Sequence, residues 1–186
     1  MENLERTGFG PHADSPADWE QRQVYAHFGL AIYFCQTLET ALVNYLVLVR
    51  ALSSEQPFGE AEVDALFERL FGGTFGRNLS EVRDVIGKDW VLADEMARAL
   101  RLRNDLVHHW MRDRALDQGT TAKRKAMVEE LVAAQAQLQQ ADTQLHARTG
   151  ALGKRVGITQ EWIDGEVNRM MEAAGRDQPA DPDRGS

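Results

Sequence analysis

A run of 25 residues from Phe28 to Leu52, almost entirely apolar, sets the frame for this chain. Its length suits either a membrane span or the central helix of a bundle. It contains Gln36, Glu39 and Asn44 and ends near Arg50, and an uncompensated carboxylate in mid-bilayer is costly. The run therefore reads as a buried helix with no membrane role. Ser15 is placed to cap it and Pro16 to open it, because proline's missing N–H costs nothing in the first helical turn. Val24, Phe28, Ala31, Cys35, Leu38, Leu42, Tyr45, Leu46 and Val49 form its strongest stripe. Much of the other face is apolar too, which predicts packing on several sides.

The remaining segments also read as helices, so the expected fold is an all-α bundle with long antiparallel helices. Residues 1–16 lack periodicity and form a flexible lead-in. Residues 17–174 form one helical-bundle domain, and 175–186 a polar, disordered tail. A short helix ending near Phe71 carries Val63, Leu66, Phe67 and Leu70, and Gly72-Gly73 stops it. Thr74 caps a second one with Phe75, Leu79, Val82, Val85 and Ile86. A third helix spans about Asp89 to Asp117, closed by Gly119. From Thr120 or Thr121 to about Leu152, Met127, Leu131, Ala134, Leu138, Ala141, Leu145 and Leu152 keep a 4-3 spacing broken at Arg148. That seam suits packing along the first helix or on another subunit. Thr159 opens a last helix with Trp162, Ile163, Val167, Met170 and Met171 on one side.

The third helix holds an anomaly within Leu100-Arg-Leu-Arg-Asn-Asp-Leu-Val-His-His-Trp110. At about 100° per residue, Leu92, Met96, Ala99, Leu100, Leu106, Val107 and Trp110 all fall within about 60° of Arg103. Arg103 thus takes a leucine's place at the centre of an apolar stripe. A guanidinium cannot shed its charge to escape burial, so a partner, a ligand or a cleft is required. Glu39, at the edge of the first helix's stripe, is the acidic residue best placed to meet it. Asn104 lies about 100° round and His108 about 140° round, one turn after Asn104. The net charge of -8 argues against indiscriminate nucleic-acid binding. Yet Arg98 to Lys125 carries +5, leaving -13 elsewhere.

Other chemistries lack their residues. Gly72-Gly73-Thr74-Phe75-Gly76 follows a helix and has no Lys-Ser/Thr, so it reads as a turn and not a phosphate loop. The five histidines form no i,i+4 pair and Cys35 stands alone, so neither a metal nor a cofactor is expected. A single cysteine and no signal-like opening segment predict a cytoplasmic protein. An arginine with a neighbouring imidazole suits phosphodiester cleavage. Histidine moves protons near neutral pH, arginine matches the developing phosphorane charge, and RNA brings its own 2′-hydroxyl nucleophile. The alternative is a non-catalytic interaction module in which Arg103 and Glu39 form a buried structural ion pair.

Leu102-Arg-Asn-Asp-Leu-Val-His108 resembles the signature of the HEPN superfamily: Arg, a polar residue that is often Asn, three further residues, then His. The resemblance implies a HEPN-like bundle and a metal-independent endoribonuclease acting as a homodimer, two motif copies facing each other across a cleft. It further implies a toxin–antitoxin or anti-phage defence role, with RNA as substrate and an antitoxin protein as a further partner. Carried over, His108 is the general acid/base, Arg103 holds the scissile phosphate and Asn104 orients the site, giving 2′,3′-cyclic phosphate and 5′-hydroxyl ends. Arg101, with six residues between it and His108, and His109, with five between it and Arg103, also satisfy the pattern as auxiliary residues, with Glu39 beside them.

Overall fold

The computed structural model describes residues 16–54, 59–86 and 90–176, and every regular element among them is helical. Helix α1 (Pro16–Ser53) is followed by α2 (Glu60–Phe71), α3 (Phe75–Ile86) and α4 (Trp90–Asp105). A π turn (Leu106–Trp110), a single turn α5 (Met111–Asp113) and a 3-10 turn (Ala115–Gly119) continue α4 towards α6 (Thr121–Arg155) and α7 (Gln160–Arg176). Pro16 is the first helical residue, as proline's geometry favours, while Ser15 and most of the expected lead-in and tail lie outside the described residues. Helix α7 carries the chain to Arg176, slightly past the expected domain end.

The axis of the molecule is α1 against α6. Leu38, Leu42 and Leu46 of α1 and Leu131, Leu138 and Leu145 of α6 are all at most 1 % exposed. Removing one of these side chains costs ~2–5 kcal/mol, so this seam carries much of the stability. Every expected stripe residue of α1 is buried except Phe28, which is partly so. The 4-3 seam of α6 is buried from Met127 to Leu145 and packs on α1 within the chain.

The direction of the pairing corrects one expectation. Arg124 meets Glu20 and Gln135 meets His27, with numbers rising together along both helices, so α1 and α6 run parallel. Helix α4 is the antiparallel element. Arg103 reaches Glu39, Trp110 stacks on Phe28 and Gln118 reaches Gln21, in descending order along α1. The sequence pattern identifies which faces are apolar, but an apolar seam carries no sign of direction.

Helices α2 and α3 cover the C-terminal half of α1. Glu81 of α3 draws in Arg50 of α1 at 3.4 Å and Arg69 of α2 at 3.2 Å. The Gly72-Gly73 stretch is a helix–helix turn. The N–H groups of Gly72 and Gly73 return to Glu68 and Leu70 carbonyls, and buried Asn78 donates to the Leu70 carbonyl at 2.9 Å. A Cβ on Gly73 would stand 2.9 Å from Asn78 Oδ1 and 3.1 Å from the Leu70 oxygen, so any side chain there would push Asn78 and the turn out of place. Thr74, Thr120 and Thr159 each accept a hydrogen bond from the N–H three residues on, as N-caps do.

By length and composition α1 is apolar enough to cross a membrane, and half of its most apolar window is buried inside the bundle. Helix α7 differs from the others. Its stripe of Trp162, Ile163, Val167, Met170 and Met171 is 40–71 % exposed.

Candidate functional site

Helix α4 and the π turn that continues it bury one face, α4 against α6 and α3 and the π turn against α1. Leu92, Met96, Ala99, Leu106 and Trp110 are at most 3 % exposed. Leu100 lies beside Gly76 of α3. Further along the same side, the Arg103 side chain is 26 % exposed and Val107 is 44 % exposed. The stripe is therefore covered towards its partners and open on the side that carries Arg103. A helical wheel gives direction but not where neighbouring helices end, and this is why Arg103 is not the buried residue that its position suggests.

The Arg103 Nε–H donates to Glu39 Oε1 at 2.7 Å, and Nη1 donates to Asn104 Oδ1 at 3.3 Å. Glu39 is 34 % exposed. The ion pair exists, but half-buried and open to solvent on one side, so screening keeps its contribution nearer the ~0.2–1 kcal/mol of exposed pairs than that of enclosed ones. Beneath it lies Cys35, whose thiol burial pushes up to about 11. The Glu39 carboxylate adds to the rise and the Arg103 guanidinium opposes it.

The next residues form the π turn. Its hydrogen bonds close one residue later than in an α-helix, so each residue advances the chain by less than the ~100° of an α turn. Trp110 is thereby rotated towards α6. Its ring stacks on Phe28 at 5.8 Å, its Nε1–H donates to Glu130 Oε2 at 3.3 Å, and the Arg114 guanidinium sits 4.9 Å over it. Arg114 also pairs with Glu130 at 2.6 Å. With Leu106 and Trp110 anchored, Val107, His108 and His109 all face solvent. Turns of this type recur at functional sites because they re-aim side chains without ending a helix.

The two histidine rings meet edge to face at 6.1 Å. Arg112 Nη2 lies 3.0 Å from His109 Nδ1. A guanidinium only donates, so Nδ1 accepts and the neutral His109 carries its proton on Nε2. The structure thus makes two clusters on one exposed stretch. Glu39, Arg103 and Asn104 form one, and His108, His109 and Arg112 the other. No hydrogen bond joins His108 to Arg103 or Asn104, and Arg101 is exposed and outside both networks. Among the described residues no group of three His, Cys, Asp or Glu could hold a metal ion. A cleft of about 340 Å³ between the π turn and α6 is lined by Leu102, Asp105, Arg114, Glu130 and Gln137, and neither Arg103 nor His108 borders it.

The buried guanidinium is Arg124, which the sequence pattern does not single out. Its side chain is 9 % exposed, with Nε and Nη2 on Glu20 at 3.0 and 2.7 Å, Nη1 on the Gln118 carbonyl at 2.6 Å and Nη2 on the Thr121 hydroxyl at 3.2 Å. The Arg124 guanidinium holds the Glu20 carboxyl below its ordinary value, against an opposing effect of burial. A signal is present, since Arg124 lies seven residues before Leu131 and so extends the 4-3 seam. No family model, curated protein or solved structure matches this chain.

Proposed function

We propose that the chain is a metal-independent endoribonuclease that uses Arg103, Asn104 and His108. The products would be 2′,3′-cyclic phosphate and 5′-hydroxyl ends. The observation that carries the reading is the state of Arg103. Glu39 and Asn104 fix its orientation while a quarter of its surface stays open to solvent, on the same exposed stretch as two histidines. A guanidinium so held offers its remaining donors to a phosphate, where arginine's planar fork is strongest. His108 would take the 2′-hydroxyl proton and return one to the leaving 5′-oxygen.

His109 and Arg112 would stand beside the phosphate path, His109 keeping an N–H at Nε2 while Arg112 occupies Nδ1. The local excess of positive charge in an acidic chain supports a focused phosphate contact over general adhesion. The resemblance supports a homodimer in a toxin–antitoxin or defence setting, and the single cysteine supports a reducing, cytoplasmic location.

His108→Ala should reduce EDTA-resistant RNA cleavage by ~100- to 10,000-fold while circular dichroism and oligomeric state are unchanged. Undiminished cleavage would remove His108 from the mechanism. The Glu39–Arg103 pair at 2.7 Å favours a second reading, a non-catalytic module whose motif is structural. In that case wild type and His108→Ala are equally inert towards RNA.

A further inference from the structure

Helix α7 carries an apolar side that the bundle leaves uncovered. At ~100° per residue, Ile163, Val167, Met170 and Met171 fall within an arc of about 100° with Trp162 beside it, and Met170 and Met171 are 71 % and 69 % exposed. Among the described residues α7 packs along no other helix. Exposed apolar patches of this kind mark interaction surfaces. Asp164 and Glu166 border the arc on either side, and the whole helix has four carboxylates against Arg169 and Arg176. A helix that lies on a membrane carries lysine and arginine on its polar face, so the acidic edges of α7 point to a protein surface.

A second apolar face lies on the same chain. Trp19, Ala26, Leu30 and Tyr33 fall within about 60° of one another on α1, and Trp19 and Tyr33 are each 57 % exposed. Trp19 shares a groove of about 290 Å³ with Val128 of α6, and Val132, 46 % exposed, follows one turn later. Phe28 and Glu39, where the motif stretch is attached, are about 180° round α1 from Trp19, so this face is separate from theirs. The cations at its edge are Arg22 and Lys125 and the carboxylates Glu129 and Glu20. Glu20 is taken up by Arg124, which leaves the edge weakly basic and complementary to α7.

Helix α7 cannot cover this face within its own chain. The turn before it is closed by the Ile158 N–H on the Gly153 carbonyl at 2.9 Å, so α7 begins level with the end of α6. Its 17 residues extend ~25 Å, whereas Val132 lies ~35 Å back from Arg155 along α6. Trp19 neighbours Glu20, the partner of Arg124, and so stands farther still. We propose that α7 of one copy docks on the face formed by Trp19, Leu30, Tyr33 and Val132 of a second copy, each chain lending its helix to the other about a two-fold axis. A single apolar patch of ~300–600 Å² falls short of the ~800 Å² that each partner of a stable complex buries, but stripe and face together supply it. Reciprocal exchange also closes the assembly at two chains. Docking of this kind requires no RNA-cleaving activity, and it leaves the Arg103 side of α1 open.

Sedimentation equilibrium of the full chain should show self-association at micromolar concentration. Met170→Asp combined with Met171→Asp, both at exposed positions, should weaken that association ~100-fold or more, and Tyr33→Asp should weaken it from the receiving side, with circular dichroism unchanged. A wild type that stays monomeric at ~100 µM would overturn the proposal and leave the stripe to a different protein. So would an association that either variant leaves intact, since the copies would then meet elsewhere, as through the motif stretch. A bismaleimide cross-linker reads the docking position, because Cys35 is buried and an introduced thiol is then the reactive one. A mixture of Met170→Cys and Val132→Cys chains should yield a cross-linked pair of the two different chains. Met170→Cys cross-linking only to itself would mean that α7 meets α7, which overturns the docking face. Should Tyr33→Asp fail to fold, the thiol mixture carries the test of that face, and absence of the mixed pair overturns it.

Discussion

Two arginines clasp the same helix at its two levels, and they do different work. Arg124 and Arg103 each reach a glutamate of α1 at 2.7 Å. Around Arg124 the side chains are 9 % and 15 % exposed, and the guanidinium meets a carboxylate, a carbonyl and a hydroxyl. Around Arg103 they are 26 % and 34 % exposed, and the partners are one carboxylate oxygen and one amide. The first guanidinium is consumed by its surroundings, whereas the second is steered by them and left with donors to spend. Length of an ion pair therefore says little about its role, and the number of satisfied donors says more.

The contrast can be broken by experiment, and Arg124→Ala is the most severe test. It should cost about 3 kcal/mol in urea unfolding, because a buried pair is opened and its hydrogen bonds are lost. Arg103→Ala should cost no more than ~1 kcal/mol. Equal losses from the two variants would erase the distinction drawn between them.

Acid gives a milder probe. Arg124 lowers the Glu20 pKa in the folded state, so the stability from this pair is full above Glu20's ordinary value and is lost as pH falls through the lowered one. The stability gap between wild type and Arg124→Ala should accordingly narrow as pH drops from about 5 to about 3, across the carboxylate range. A gap that stays constant would show that Glu20 is not the source of that stability.

The smallest effect belongs to Cys35. Its folded pKa is raised to about 11, so the folded state holds the proton longer, and stability should decline slightly as pH rises through the ordinary thiol range. The thiol should also resist maleimide in the native protein and react once urea unfolds it. Rapid native labelling would show that the helix interface beneath Arg103 opens readily.

Much of the fold is legible in the sequence, for identifiable reasons. Residues such as Leu38, Leu131 and Leu138 follow the 3.6-residue repeat, and threonine caps at Thr74, Thr120 and Thr159 mark helix starts by local hydrogen bonding alone. The partner of Arg103 is legible too, since only Glu39 offers a carboxylate at the edge of the right stripe. The exposure of Arg103 and Val107 is not, because it depends on what covers α4 at that level. The π turn is equally hidden. Its extra residue per turn leaves no mark in the spacing of Leu106 and Trp110, and what holds it is Glu130, twenty residues on. Arg124 escapes attention although it sits in register with the α6 seam. A charge that interrupts an apolar series, as Arg148 does, is conspicuous, whereas one that stands before the first apolar residue reads as flanking sequence.

The parallel course of α1 and α6 has a consequence for how the chain is made. Two parallel helices cannot be joined by a hairpin, so everything between them, α4 and the π turn included, is the return path. The contacts that close the axis join residues 104 and 108 positions apart. Loop closure over that span delays assembly relative to local helix formation. During synthesis Arg103 can find Glu39 before α6 exists, but Trp110 has no Glu130 to hold it. The histidines of the π turn would thus take up their final orientation only after the chain has grown past α6, which gives the nascent protein an interval in which the motif is present but not yet set.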